Sequence, residues 1–360
     1  MARTISRFAH LLTVHLSSVH LLSVHLLSVR LLTVLLLIAA STDSHGAEHG
    51  VVLLYHHVSS TTPSSTSVRP AQFEAHLDYL SAKNFNVMQL SKMVAALAAR
   101  EPIPAKSVAI TFDDAYQSVY DTAMPLLKSR KMPFTIFVNT SKAAEANNAY
   151  LDWQELREIQ DVGGEIQNHG HSHGHLAYPQ NGETQDAWRQ RVTVDVTAAS
   201  ALIVDKLDVR PTLFAYPYGE YSKELKEIVS DLELFATGQH SGAVGFDSDF
   251  LGLPRHPFYT GADSLKRLAE RTHTRPLYIE AHPMGPLRVR EDSFVSLDLQ
   301  NAEMPLNCFF DGALVEVESA ANTVRILSLG PFPKRRTKLN CTKPDGLGGY
   351  LWWSYLFLRE

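Results

Sequence analysis

The sequence predicts an α/β chain: a distorted (β/α) barrel of about seven strands, followed by a small C-terminal all-β domain. Two observations carry that expectation. From Val51 to Thr237, short β-branched apolar runs alternate with helical stretches, the pattern of βα units around a parallel sheet. After Pro286 the texture changes to alternating strands with Pro, Gly and Asn between them and no clear helix.

The barrel strands, in order, are VVLLY (Val51–Tyr55), FNVMQL (Phe85–Leu90), SVAITF (Ser107–Phe112), FTIFVN (Phe134–Asn139), GEIQN (Gly164–Asn168), TLFAY (Thr212–Tyr216) and ELFATG (Glu233–Gly238). Each is a short run of the length expected of a strand, and most are predominantly apolar. Helices fit the intervals at Pro70–Lys83, Ser91–Arg100, Ser118–Ser129, Asp152–Val162, Gln185–Leu207 and Ser222–Asp231. Beyond Pro286 the strands are SFVSLDL, ALVEVE and TVRILSL. The aromatic segment Gly349–Tyr355 suggests a sugar-stacking platform, but successive residues of a strand face opposite ways, so at least half of it belongs to a core. The chain therefore divides into a leader (1–47), a barrel (48–285) and a small β domain (286–360).

With 360 residues, 45% hydrophobic and 20% charged, a wholly disordered chain is excluded. Lys and Arg total 33 against 38 Asp and Glu, a net charge of -5, so no basic excess exists to bind a nucleic-acid backbone. Seventeen histidines are the oddity of the composition, and six of them precede Gly50. Residues 11–35 repeat a five-residue unit that spaces His15, His20, His25 and Arg30 evenly, a period that aligns with neither helix nor strand, which argues against a metal site. Arg3, Arg7 and Arg30 are the only charges before the apolar run Val34–Ala40 and the small residues that close it. This layout predicts a secretory signal and an exported protein, periplasmic or associated with the cell envelope. An uncleaved leader serving as a membrane anchor is the alternative. Export predicts that the two cysteines, Cys308 and Cys341, pair as a disulfide.

In a barrel of this kind, chemistry sits on the loops after the strand C-termini. His56 and His57 follow the first strand, Asp113 and Asp114 follow SVAITF, and His169-Gly170-His171-Ser172-His173-Gly174-His175 follows GEIQN. Pro217-Tyr218-Gly219 follows TLFAY. Two adjacent carboxylates at the end of a buried strand repel one another unless a cation takes one as a ligand. The histidine loop offers two i,i+4 pairs, His169/His173 and His171/His175, either of which places two imidazoles on one face of a helical turn. One Asp with two His leaves a zinc ion open positions, as hydrolysis requires. The opposing expectation is that TFDD caps a helix and the histidines form a solvated loop.

Thr111-Phe112-Asp113-Asp114, then Asn168-His169 with Ser172-His173, then Phe214-Ala215-Tyr216-Pro217-Tyr218-Gly219, resemble the polysaccharide deacetylases of the NodB-homology group, carbohydrate esterase family four. The resemblance covers about Val51–Phe258. It implies removal of N-acetyl groups from an amino-sugar polysaccharide, with Asp113 as base and Asp114, His169 and His173 as ligands of a divalent metal. Zinc is the first expectation, with cobalt, nickel and iron as alternatives. The register over His171/His175 rests on this resemblance. The backbone N–H of Tyr218 is expected to bind the oxyanion.

Two departures stand out. Ala215 occupies the place of the family's usual Arg, which leaves Arg255, in Leu253-Pro254-Arg255, as the candidate partner of the catalytic Asp. The family's general acid usually follows the last barrel strand, whereas here Leu54-Tyr55-His56-His57 resembles the permuted branch typified by poly-N-acetylglucosamine deacetylases. His56 is then the general acid, His57 is structural, and His282, in Leu277–His282, is the competitor. A non-catalytic carbohydrate-binding or matrix-assembly protein on the same fold, and a deacetylase of peptidoglycan or chitin oligomers, are the rival functions.

Overall fold

A computed structural model of the chain describes residues 46–145, 147–282, 286–320 and 323–360. The pentapeptide repeat and the signal expected of the leader lie outside the described residues.

The first half is a run of βα units. β1 (His49–Tyr55) leads through α1 (Pro70–Ala82) to β2 (Asn86–Val87), α2 (Leu90–Ala98) and β3 (Ser107–Phe112). A π turn at Val119–Ala123 opens α3 (Met124–Ser129), and β4 (Phe134–Val138) follows. Next come α4 (Thr140–Ala144), α5 (Trp153–Asp161) and β5 (Gly164–Asn168). The long α6 (Gln185–Leu207), β6 (Leu213–Ala215), α7 (Lys223–Asp231) and β7 (Phe235–Thr237) complete the series. The helix starts have local causes. Asp152 and Glu155 form a reciprocal capping box, and Thr184 and Ser222 accept from Ala187 N and Leu225 N, each satisfying an amide that the helix leaves without a partner.

FNVMQL is the expected strand that the structure shortens most. Only Asn86 and Val87 pair with β3, and Leu90 already begins α2. Leu90, Met93, Val94 and Leu97 make one buried helical face, and that 3.6-residue period takes Leu90 into the helix and leaves only Asn86 and Val87 as strand. A further helix, α8 (Leu265–Thr272), capped by the Ser264 side chain, adds to the six expected from the sequence.

β8 (Ala243–Gly245) runs antiparallel to β1, and the sheet order is β8-β1-β3-β4-β5-β6-β7, with β2 on β3 and β9 (His256–Pro257) on β1. The sheet is a curled half-barrel: β7 and β8, its two ends, form no ladder with each other. The segment from Leu253 to Pro257 crosses this seam. Leu253 bridges Thr237 of β7, while His256 and Pro257 pair with Leu53 and Leu54 of β1. Phe73, Leu77, Ile110, Phe112, Phe134 and Ile136 belong to the largest apolar cluster, between the sheet and the helices.

The C-terminal region is all β. β10 (Arg275–Pro276), β11 (Glu280–His282), β12 (Leu287–Val289), β13 (Val295–Gln300), β14 (Asn307–Phe310), β15 (Ala313–Val315), β16 (Val317–Ala320), β17 (Thr323–Leu329), β18 (Arg336–Pro344) and β19 (Tyr350–Arg359) form two sheets. One has the order β10-β19-β18-β14-β15 with β12 also on β19; the other is β11-β13-β17-β16. Trp353 and Tyr355 of β19 stack on one another at 5.7 Å beside the core of this region, and Trp352 lies under the Arg271 guanidinium at 4.0 Å, so both neighbours of the aromatic run have packing partners. Leu356 and Leu358 of β19 join Phe214, Tyr216, Leu225 and Ile228 of the barrel in one buried cluster. Each such buried leucine contributes about 1.5–3 kcal/mol, so this sheet is fastened to the barrel by apolar burial.

Cys308 and Cys341 face each other across β14 and β18 and are joined as a disulfide that closes a separation of 33 residues. Cys308→Ser is expected to lower stability by about 2–4 kcal/mol by freeing the unfolded chain. A urea midpoint equal to that of the oxidised protein would contradict this.

Candidate metal centre and active site

The C-terminal ends of β1, β3, β5 and β6 lie along one edge of the sheet, with β4 between β3 and β5, and the residues that follow them gather at one rim. Among the described residues, Asp114, His169 and His173 form a group whose donor atoms lie within 4.8 Å of one another. Asp114 Oδ1 stands 3.3 Å from His169 Nε2 and 2.9 Å from His173 Nε2. His169 Nδ1 lies 2.7 Å from the Ala215 carbonyl. A carbonyl accepts only, so Nδ1 carries the proton and the Nε2 lone pair points into the site, the arrangement of a metal-ligating imidazole. Asp114 Oδ1 and His169 Nε2 are buried without a hydrogen-bond partner, so the donor set fits a divalent cation. Burial works to raise the Asp114 carboxyl, but His169 and then His173 hold it well below the ordinary carboxylate range. His169 is shifted the other way: against burial, the charge of Asp113 and the contact with Asp114 raise it.

The backbone that presents the two carboxylates is strained. Asp114 and Ala115 take φ of 72° and 56°, consecutive left-handed residues that cost on the order of 1–3 kcal/mol each. The Ala115 carbonyl accepts from Leu151 N at 2.9 Å, which helps to hold the turn. Neither Asp caps the helical turn that follows, whose cap position is Ser118.

The histidine loop is not helical, contrary to the i,i+4 expectation. Gly170 and His173 have φ of 81° and 54°, and the loop is folded back by Asp195 of α6. The Asp195 carboxylate accepts from His171 N at 2.9 Å and Ser172 N at 3.0 Å, a link that nothing in the local sequence announces. His171 and His175 have other partners. His171 Nδ1 meets Thr140 Oγ1 at 3.0 Å, and His175 Nδ1 meets Glu220 Oε2 at 2.7 Å while its ring stacks on Tyr218 at 4.1 Å.

Asp113 is completely buried and bound by Arg255, also completely buried. Nη1 donates to Oδ1 at 2.6 Å and Nη2 to Oδ2 at 2.8 Å, a bidentate ion pair. Arg255 is fixed in turn by Nε donating to the Gly238 carbonyl at 2.9 Å and by lying over the Phe137 ring at 5.2 Å. Burial would raise the Asp113 carboxyl, but Arg255, followed by His169, outweighs it and lowers the pKa, so Asp113 stays ionised. Arg255→Met would leave this carboxylate buried and unpaired and is expected to cost about 3–5 kcal/mol of stability. Chemical denaturation measures it, and a midpoint unchanged from wild type would show that the pair contributes nothing net.

His56 follows β1 at the same rim. Burial lowers its pKa, Asp113 and Asp114 oppose that, and Arg255 and His169 add to it. His57 is packed away: its ring stacks on Tyr116 at 3.6 Å, and burial together with the charge of His56 lowers its pKa to about 4. His282 belongs to β11, whose partner is β13 of the C-terminal sheet, so its backbone is on neither the barrel sheet nor its rim. Tyr218 has a left-handed backbone, φ 59°, and its ring packs edge-on to His173 at 4.7 Å. Tyr116, directly after the strained turn, has its phenol raised by burial and by the charge of Asp114 beside it.

The polysaccharide deacetylase family profile matches residues 100–236. Over 207 residues the chain is 27% identical to the poly-beta-1,6-N-acetyl-D-glucosamine N-deacetylase of Staphylococcus aureus, covering 56% of this chain and 71% of that protein. It is 28% identical over 173 residues to a putative polysaccharide deacetylase of Bacillus subtilis, covering 48% and 58%. Two solved structures share the fold: the Streptococcus pyogenes deacetylase PplD in complex with acetate (TM-score 0.57, 22% identity, 62% of this chain and 98% of that one) and IcaB from Ammonifex degensii (0.54, 23%, 63% and 98%). The curled sheet, the Asp-His-His group at its rim and these matches point the same way: residues 100–236 carry the polysaccharide deacetylase profile, and the chain is similar to polysaccharide deacetylases in sequence and in fold.

Proposed function

We propose that the protein removes N-acetyl groups from an amino-sugar polysaccharide of the poly-N-acetylglucosamine kind and releases acetate. The observation that carries this is an Asp113 clamped on both oxygens by Arg255, adjacent in the chain to Asp114 of a group of three metal-competent donors. Asp114, His169 and His173 would hold a divalent cation, zinc first with cobalt, nickel or iron as alternatives, which when bound would supply Lewis-acid charge to acidify water and polarise an amide carbonyl.

Asp113 takes the proton of the attacking water, and Arg255 keeps its carboxylate ionised and aimed. The backbone N–H of Tyr218 hydrogen-bonds the oxygen that gains negative charge. His56 hands a proton to the departing sugar nitrogen as the C–N bond breaks, which lets the amine leave rather than water. The substrate class is supported by what the Staphylococcus aureus relative is named for, and by an acidic chain with no basic excess to favour nucleic acid. Export to the periplasm or envelope, directed by the leader of residues 1–47, is supported by the disulfide, which persists in oxidising compartments. Among the described residues no helix is long and apolar enough to cross a membrane, so attachment would depend on the leader.

Acetate release by the metal-loaded protein tests the proposal on poly-N-acetylglucosamine, chitin and peptidoglycan oligomers. Release from the first in preference to the others is expected. Release from none would turn the reading towards carbohydrate binding without catalysis.

A further inference from the structure

Gln239 stands where the barrel meets the C-terminal sheet, two residues beyond β7. Its Nε2 donates to Asp113 Oδ2 at 3.3 Å. Its Oε1 accepts from Arg336 Nη1 and Nη2, both at 3.3 Å, and its backbone carbonyl accepts from Lys338 Nζ at 3.3 Å. Arg336 and Lys338 are two apart on β18, so their side chains leave the same face of that strand. Arg336 also lies tightly over the Pro217–Gly219 turn. A Cβ at Gly219 would come within 2.2 Å of its Nη1 and 2.7 Å of the Gln239 Cβ, and Gly219 has φ 65°, so a larger residue there would displace Arg336 and Gln239 and strain the backbone.

An amide has two different ends. An ionised carboxylate can only accept and a guanidinium can only donate, so a glutamine between them has one favourable orientation, Nε2 to the carboxylate and Oε1 to the guanidinium. Without Arg336 the amide would be free to turn its oxygen towards Asp113, where it would repel the carboxylate.

We propose that Arg336, supplied by the C-terminal β region, is a positioning residue for Asp113 that acts through Gln239. The inference rests on Asp113 being the catalytic base. It makes the β region part of the catalytic unit rather than an appendage. Asp113 is thereby held from two directions, by Arg255 on both oxygens and by the Gln239 amide on Oδ2.

The test uses the full-length, metal-loaded protein and compares Arg336→Met, Arg336→Lys, Gln239→Leu and the double variant Arg336→Met/Gln239→Leu for acetate release. Arg336→Met and Gln239→Leu should each lower kcat roughly tenfold with KM changed less than about twofold, the size expected when a hydrogen bond to a charged group is lost. Metal content should stay at the wild-type value, and Arg336→Lys should recover most of the loss. The double variant should be no slower than Gln239→Leu alone, because the two residues act in series. Unchanged kcat in both single variants, losses that multiply in the double variant, or a change confined to KM would overturn the inference. If Arg336→Met does not fold, Arg336→Lys and Gln239→Leu decide, the former expected near wild type and the latter slow. Should Asp113→Asn retain activity, the reading of the base fails; should it be inactive while Gln239→Leu is unaffected, only this inference fails.

Discussion

Asp113→Asn is expected to lower kcat for acetate release by on the order of a thousandfold while leaving metal content unchanged. The substitution keeps shape and burial but removes the group that can take a proton. It also removes the negative charge that Arg255 meets at 2.6 and 2.8 Å, so the variant should be less stable, and activity must be assayed well below its unfolding temperature. Asp114, His169 and His173 are untouched, so the separation of metal content from turnover distinguishes a base from a ligand. Turnover equal to wild type would remove Asp113 from the mechanism, and loss of metal would make it a ligand instead.

His173→Ala should weaken metal binding by more than about a hundredfold, because the loss of an outer-shell partner alone costs roughly 10–100-fold in metal sites. His171→Ala, two residues away in the same loop, should change it little, because its ring is turned to Thr140. The comparison is demanding because both substitutions remove an imidazole from a loop held by Asp195. Metal titration of the purified variants reads the difference directly. Equal losses would mean that the loop as a whole had collapsed, and the reverse order would move the ligand register to His171 and His175.

The site was legible in the sequence to the extent that it is set by strand ends. VVLLY, SVAITF, GEIQN and TLFAY form strands, and a parallel sheet brings their C-terminal ends to one edge whatever lies between them. The helices were legible as the intervals between those strands, and their starts near Asp152, Thr184 and Ser222 coincide with local side-chain caps. Contacts between distant segments were harder to see. Asp195 reads as an ordinary polar residue within a helix, and only the tertiary packing of α6 on the histidine loop reveals its purpose. Gln239 and Arg336 are 97 residues apart, and neither belongs to a motif. Arg255 could be nominated only because the expected arginine was missing at Ala215. The loop conformation of His169–His173 was equally hidden, because i,i+4 spacing is compatible with a turn of helix and with a chain folded back on a carboxylate.

The seam of the half-barrel and the Asp113 clamp are built from the same segment. Arg255 lies between Leu253, which bridges β7, and His256, which pairs with β1, so it occupies the point where the chain passes from one end of the sheet to the other. The guanidinium that meets Asp113 is thus carried by a segment held at both ends of the sheet. The seam and the Asp113 clamp therefore share one short segment, so a substitution that loosened either attachment would also displace the guanidinium from Asp113.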